Sequence, residues 1–154
     1  MRINLSTILL LACLLAAPSA WPVDEQPATG TMVPERLTTA RAAIDAGDWR
    51  KALTELQAAE RAEPRNADVH NLLGYSYRKQ ARPDLAKAFE HYRQALRLDP
   101  QHRGAHEYIG EAYLMDGKPE LAQQHLLALE KICGQGCEEY ADLAKAMAAY
   151  KAAR

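Results

Sequence analysis

Residues 67–100 read ADVHNLLGYSYRKQARPDLAKAFEHYRQALRLDP. Apolar residues recur there at helical spacing on both sides of a break at Ala81, Arg82 and Pro83. Leu73, Gly74 and Tyr77 share one stripe before the break, and Ala88, Tyr92 and Ala95 share another after it. Pro83 is expected at the first position of the second helix, and Asp99 and Pro100 stop it. Large side chains alternate with small ones across the two stripes. Two antiparallel helices can then approach closely, with Gly and Ala admitting the partner backbone and the Tyr rings filling the remaining space.

The same pattern extends in both directions. Upstream, residues 33–66 carry Leu37, Ala40, Ala43 and Ile44 on a first helix. A turn at Ala46, Gly47 and Asp48 follows, with Asp48 as an expected N-cap. Trp49, Ala52, Leu56 and Ala59 then line a second helix that ends before Pro64. Pro100 lies 36 residues after Pro64, and any length added to this repeat has its natural place in the turn where Arg82 precedes Pro83. Downstream, residues 103–132 repeat the first-helix order with Tyr108, Ile109, Gly110 and Tyr113. Their second helix carries Leu121, Ala122, Leu126 and Leu129. A Cys loop and a last amphipathic helix with Tyr140, Leu143, Ala144 and Met147 occupy residues 133–154. Stacked repeats cannot leave their final face bare, and this helix is expected to cap it.

The order Leu-Gly-x2-Tyr, then Ala, an aromatic residue, Ala and Pro, resembles the tetratricopeptide repeat pattern. It covers about three-quarters of the chain as repeats at 33–66, 67–102 and 103–132, the first of them degenerate. The resemblance implies an all-α fold, a short right-handed superhelix of about three helix pairs with a C-terminal capping helix. It further implies that the first helix of each pair lines a concave groove that holds a polypeptide. The residues that match the groove positions are Leu37, Arg41 and Ile44, then Asp68, Asn71, Tyr75 and Arg78, then Glu107, Glu111 and Leu114. Tyr75 and Arg78 are the expected anchors of a partner peptide or helix. Relatives that grip a C-terminal carboxylate use Lys and Asn at set places. Asn71 is one position out and no Lys matches, so that specificity is not expected.

Composition narrows the function classes. The chain has 154 residues, 48% apolar and 25% charged, with a formal net charge of −1 and its Lys and Arg scattered. Such a balance supplies no electrostatic footprint for nucleic acid. The first twenty residues are a different material: Arg2, then the uncharged run LSTILLLACLLAA at 5–17, then Ser19 and Ala20 before the change to Trp21 and Pro22. That is the layout of a secretory signal, too short to span a bilayer, which takes roughly 20 residues. The reading is of export, most simply to a bacterial periplasm, with no membrane insertion once residues 1–20 are removed. The alternative is a lipid anchor at Cys13, which lies in a loose lipoprotein-like box. Residues 21–32 carry two Pro and a Gly without period and read as a flexible lead-in.

Removal of the signal leaves Cys133 and Cys137 as the only thiols, and in an oxidising compartment they are expected to form a structural disulfide. A redox role is the sharper alternative, but the spacing is not C-x-x-C. His102 and His106 are four apart, as in many helical metal sites. Yet His70 and His106 occupy equivalent repeat positions, where a bulky residue packs, and His91 and His125 fall on second helices. Packing rather than metal is therefore expected of the histidines. No nucleophile–base arrangement or phosphate loop stands out, and neither enzymatic activity nor a cofactor is expected. A protein-binding adaptor is the leading reading, and a self-associating structural protein is the alternative.

Overall fold

The computed structural model describes residues 32–153, and the signal and most of the lead-in lie outside them. The described residues form seven helices and no strand: α1 (Val33–Asp45), α2 (Trp49–Ala62), α3 (Ala67–Lys79), α4 (Leu85–Leu98), α5 (Arg103–Met115), α6 (Pro119–Cys133) and α7 (Glu138–Ala152). Helices α1 and α2, α3 and α4, and α5 and α6 pack as pairs, and each pair stacks on the next through α2–α3 and α4–α5. This is the expected all-α helical-repeat superhelix.

Short polar residues cap the starts of three of the helices. Asp48 accepts the Lys51 N–H at 3.0 Å, Asn66 the Val69 N–H at 3.2 Å, and Asp84 the Lys87 N–H at 3.1 Å. At α5 the cap is the His102 ring, whose Nδ1 accepts the Ala105 N–H at 3.1 Å. Gly47 and Gly117 adopt φ +71° in the turns after α1 and α5, a conformation that suits a residue without Cβ.

The turn after α3 differs in one detail from the sequence reading. Pro83 does not begin α4; Asp84 caps it and Leu85 is its first residue. The connection at 80–84 is thus two residues longer than those at 46–48 and 116–118. The additional residues loop out without moving the helix start. Asp84 N–H still bonds Tyr77 O at 3.0 Å, as Asp48 N–H bonds Ala43 O and Lys118 N–H bonds Tyr113 O, both at 2.8 Å.

Packing follows the large–small alternation. Leu73, Ala88, Tyr92 and Ala95 are fully buried and Tyr77 nearly so. A Cβ placed on Gly74 would lie 2.6 Å from the Tyr92 ring, so this glycine is what lets α3 and α4 touch. At Gly110 the space is filled from elsewhere: its added Cβ would lie 2.6 Å from Leu143, on α7. The residue equivalent to Tyr92 in the third pair is Leu126, which leaves room for that intrusion. Leu143 and Met147 join Leu114, Ala122, Leu126 and Leu129 in a second apolar cluster. The last helix packs against both α5 and α6 as a cap.

Candidate functional site

Along one face of the stack α3 packs beside α5 and α5 beside α7, while α1 reaches this face next to α3 through Arg41, Ile44 and Asp45. On α3, Leu72, Tyr75 and Arg78 follow one another at helical spacing, and Tyr108 and Glu111 do so on α5. The Tyr75 and Tyr108 rings meet with centroids 4.7 Å apart, and Trp49 stands 6.3 Å from Tyr75. Arg41, Ile44, Asp45, Leu72, Tyr75 and Tyr108 surround a depression of about 290 Å³. A second depression, of about 450 Å³, continues past Arg78 and Glu111 to Lys79, Leu114, Met115 and, on α7, Ala146, Ala149 and Tyr150.

Arg78 holds the two together from below. Only 5% exposed, it forms an ion pair with Glu111 at 2.6 Å and donates from Nε to the Tyr92 hydroxyl at 3.2 Å. Its guanidinium also lies 5.4 Å from the centre of the Tyr75 ring and 5.6 Å from that of Tyr108. With every face occupied, Arg78 is a floor for the aromatic pair, not the free anchor its position suggested. The cations that do face solvent here are Arg41 and Lys79.

The other expected groove residues fall into four groups. Arg41, Ile44 and Tyr75 line the first depression, and Glu111 and Leu114 the second. Leu37 is half-buried against the first core cluster. Asp68 lines neither depression, and its carboxylate meets His102 Nε2 at 3.1 Å. Asn71 and Glu107 are buried between helices. Asn71 Oδ1 has no hydrogen-bond partner among the described residues. Leu72, Tyr108 and the α7 residues belong to the groove but were not among the expected set.

Electrostatics reinforce a dry, aromatic floor. Burial raises the Tyr75 hydroxyl above its ordinary value and the Tyr108 hydroxyl to about 12, so both stay neutral hydrogen-bonding groups. Burial, with Glu111, Asp142 and Glu139 nearby, lifts the Glu107 carboxyl to about 8. The folded chain therefore holds a proton that the unfolded chain releases. Glu107's contribution to stability is complete below the ordinary glutamate range and lost as pH rises through about 8.

The histidines form two pairs that sequence spacing did not connect. His70 Nδ1 faces His91 Nδ1 at 3.2 Å, and His106 Nδ1 faces His125 Nδ1 at 2.9 Å. In each pair the first ring also meets a proline carbonyl through Nε2: Pro64 at 2.9 Å, Pro100 at 3.0 Å. A tyrosine stacks on the second ring, Tyr77 on His91 and Tyr113 on His125. Burial pushes both second rings below the usual histidine range, His125 to about 4. His102 and His106 do not converge, because His102 is an N-cap and His106 turns to His125. At the start of α7, Cys133 and Cys137 lie 5.9 Å apart at Cα with their sulfurs at bonding distance.

Solved structures of known proteins share this fold. The TPR2B domain of yeast Sti1, in complex with pHsp70, superposes with a TM-score of 0.70 at 14% identity, over 79% of this chain and 98% of that one. The first TPR of Spaghetti (RPAP3), bound to the HSP90 peptide SRMEEVD, gives 0.67 at 17% identity, over 77% of this chain and 95% of that one. The Yersinia enterocolitica type III secretion translocator chaperone SycD gives 0.65 at 15% identity, over 79% and 89%. Among curated proteins no sequence matches this chain. The sequence profile of the tetratricopeptide repeat matches residues 37–101 and 84–136. These segments span all three helix pairs whose small–large packing builds the groove, and the chain belongs to the tetratricopeptide repeat family.

Proposed function

We propose that this chain is an exported, non-enzymatic adaptor of the bacterial cell envelope that holds a polypeptide segment along the α1–α3–α5–α7 face. One observation carries the reading: a paired Tyr75–Tyr108 surface, kept rigid by buried Arg78 and flanked by Arg41 and Ile44, in a concave depression. Aromatic side chains that are already ordered lose little entropy on contact, which is why they dominate peptide recognition. That solved relatives of this fold hold peptides supports a polypeptide as the occupant.

A photo-crosslinking side chain at Tyr75, in the full chain expressed in a Gram-negative host, should capture one or a few envelope polypeptides. The same probe at exposed Arg97, on α4, should not. Arg41→Glu should reduce the captured amount about tenfold without changing helicity. Equal capture from both probe positions, or an unaffected Arg41→Glu variant, would overturn the groove reading.

Export rests on residues 1–20, and the Cys133–Cys137 bond belongs with it, since such bonds persist in oxidising compartments. The bond closes a short loop before the cap and stabilises by roughly 2 kcal/mol. Intact mass of the processed chain tests both points. The expected result is a chain trimmed near residue 20 that gains two hydrogens on reduction, and a full-length, fully reduced chain would count against export.

A further inference from the structure

We propose that Glu60, His70 and His91 form a binding site for a divalent first-row metal ion, zinc above all, that ties the first helix pair to the second. The three side chains come from α2, α3 and α4, and their facing atoms form a closed triangle. His70 Nδ1 and His91 Nδ1 are 3.2 Å apart, and Glu60 Oε1 lies 3.6 Å from the first and 3.9 Å from the second. A triangle with those sides has a circumradius of about 2.1 Å, the length of Zn–N and Zn–O bonds. An ion at its centre meets all three atoms at bonding distance in their common plane, and a small inward turn of the Glu60 side chain lets a fourth ligand draw it out of that plane.

The surroundings fit the donors. His70 Nε2 lies 2.9 Å from Pro64 O, which sets its proton on that nitrogen and leaves the Nδ1 lone pair facing the triangle. A backbone carbonyl in this role is the usual partner of a metal-bound imidazole. Without metal, His91 Nδ1–H can donate to His70 Nδ1; with metal, the His91 proton moves to Nε2, and both rings bind as neutral ligands. Tyr77 lies parallel to the His91 ring at 5.5 Å and fixes its plane. Two imidazoles and one carboxylate are also a donor set that zinc accepts with a fourth position open. The Glu60 side chain is about one-third exposed, so the ion can enter from solvent.

The molecule carries its own control. His106 and His125 repeat the ring pair and the proline carbonyl, so pairing by itself is part of how these repeats pack. Leu96 stands where Glu60 stands one repeat earlier, and among the described residues no carboxylate completes the second triangle. The carboxylate is what sets the first pair apart.

Titration of the tag-free, processed chain with zinc after chelator treatment tests the assignment, with Cys133 and Cys137 left oxidised. We expect one ion bound at micromolar affinity or tighter, a thermal midpoint raised by several degrees, and four-coordinate absorption bands with cobalt(II). Glu60→Gln should weaken binding about tenfold or more, while His125→Ala should leave it unchanged. His91→Ala should abolish binding, and where it also loosens the fold, Glu60→Gln decides. Absence of saturable zinc binding, or equal losses in Glu60→Gln and His125→Ala, would overturn the site. Neither outcome bears on the groove, whose crosslinking test is independent of metal.

Discussion

Gly74→Ala should destabilise the chain by about 2 kcal/mol, and Gly74→Val by about 4 kcal/mol or enough to prevent folding. The added Cβ would stand 2.6 Å from Cδ1 and Cε1 of Tyr92 and 3.0 Å from Cγ, far inside contact distance. Tyr92 cannot yield. Its ring is fully buried, and its hydroxyl is held by Arg78. Helices α3 and α4 must therefore separate, and a close-packed interface loses contact along its whole length when they do. Against this, alanine recovers roughly 1 kcal/mol of helix propensity over glycine, which is already counted in the smaller figure. Gly104→Ala provides the comparison: its Cβ would come no closer than 3.2 Å, to the Asn71 amide nitrogen at a side-chain end, with the His102 ring at ordinary contact distance, and the propensity gain should leave stability unchanged or slightly improved. Urea unfolding of the three variants measures the difference. If Gly74→Ala and Gly104→Ala behave alike, close approach at Gly74 is not what holds the pair together.

How far the sequence could be read depended on whether an interaction repeats along one helix or crosses between helices. Apolar stripes and small residues at Gly74 and Ala88 recur at fixed intervals, so helix order and packing faces were legible in them. Pro83 was misplaced by two residues because proline suits both the first turn of a helix and the loop before it, and Asp84 decided the matter as a cap. At Gly110 the sequence indicated close contact but not the partner. The contact crosses from α5 to α7, and it depends on Leu126 being shorter than Tyr92. Arg78 was legible as a groove position and illegible as a buried one. Burial of an arginine requires Glu111, Tyr92, Tyr75 and Tyr108 to converge from two other helices and its own. Tyr108, one residue before the branched apolar Ile109, looked like part of the core stripe alone. The two histidine pairs join residues 21 and 19 positions apart on different helices, a relation that no single-helix periodicity carries.

Arg78→Met should cost about 3 kcal/mol of stability, and the loss should grow in alkaline solution. Methionine replaces the volume but none of the polar contacts. The Tyr92 hydroxyl, in a fully buried residue, loses the Arg78 Nε–H bond, and an unpaired buried hydroxyl alone costs about 1–3 kcal/mol. Glu111 loses its ion pair, though its side chain is about a quarter exposed and can turn toward water, which keeps the total below that of a fully buried pair. The pH dependence comes from Glu107. In the wild type its carboxyl titrates at about 8, raised by burial and by Glu111, Asp142 and Glu139, with Arg78 pulling the other way. Without that cation the folded-state value moves higher still. Both proteins lose stability as pH climbs from the ordinary glutamate range, because the folded chain binds the proton more tightly than the unfolded one. Above about pH 8 the wild type levels off while the variant continues to fall, so the gap between them widens there. Arg78→Lys keeps the charge and loses the planar stack and the Tyr92 bond, and it should fall between the two. Urea unfolding of all three at pH 6 and pH 9 separates these cases. A constant gap across that range would remove Glu107 from the network, and a gap under about 1 kcal/mol at both would mean that Arg78 does not support the aromatic floor.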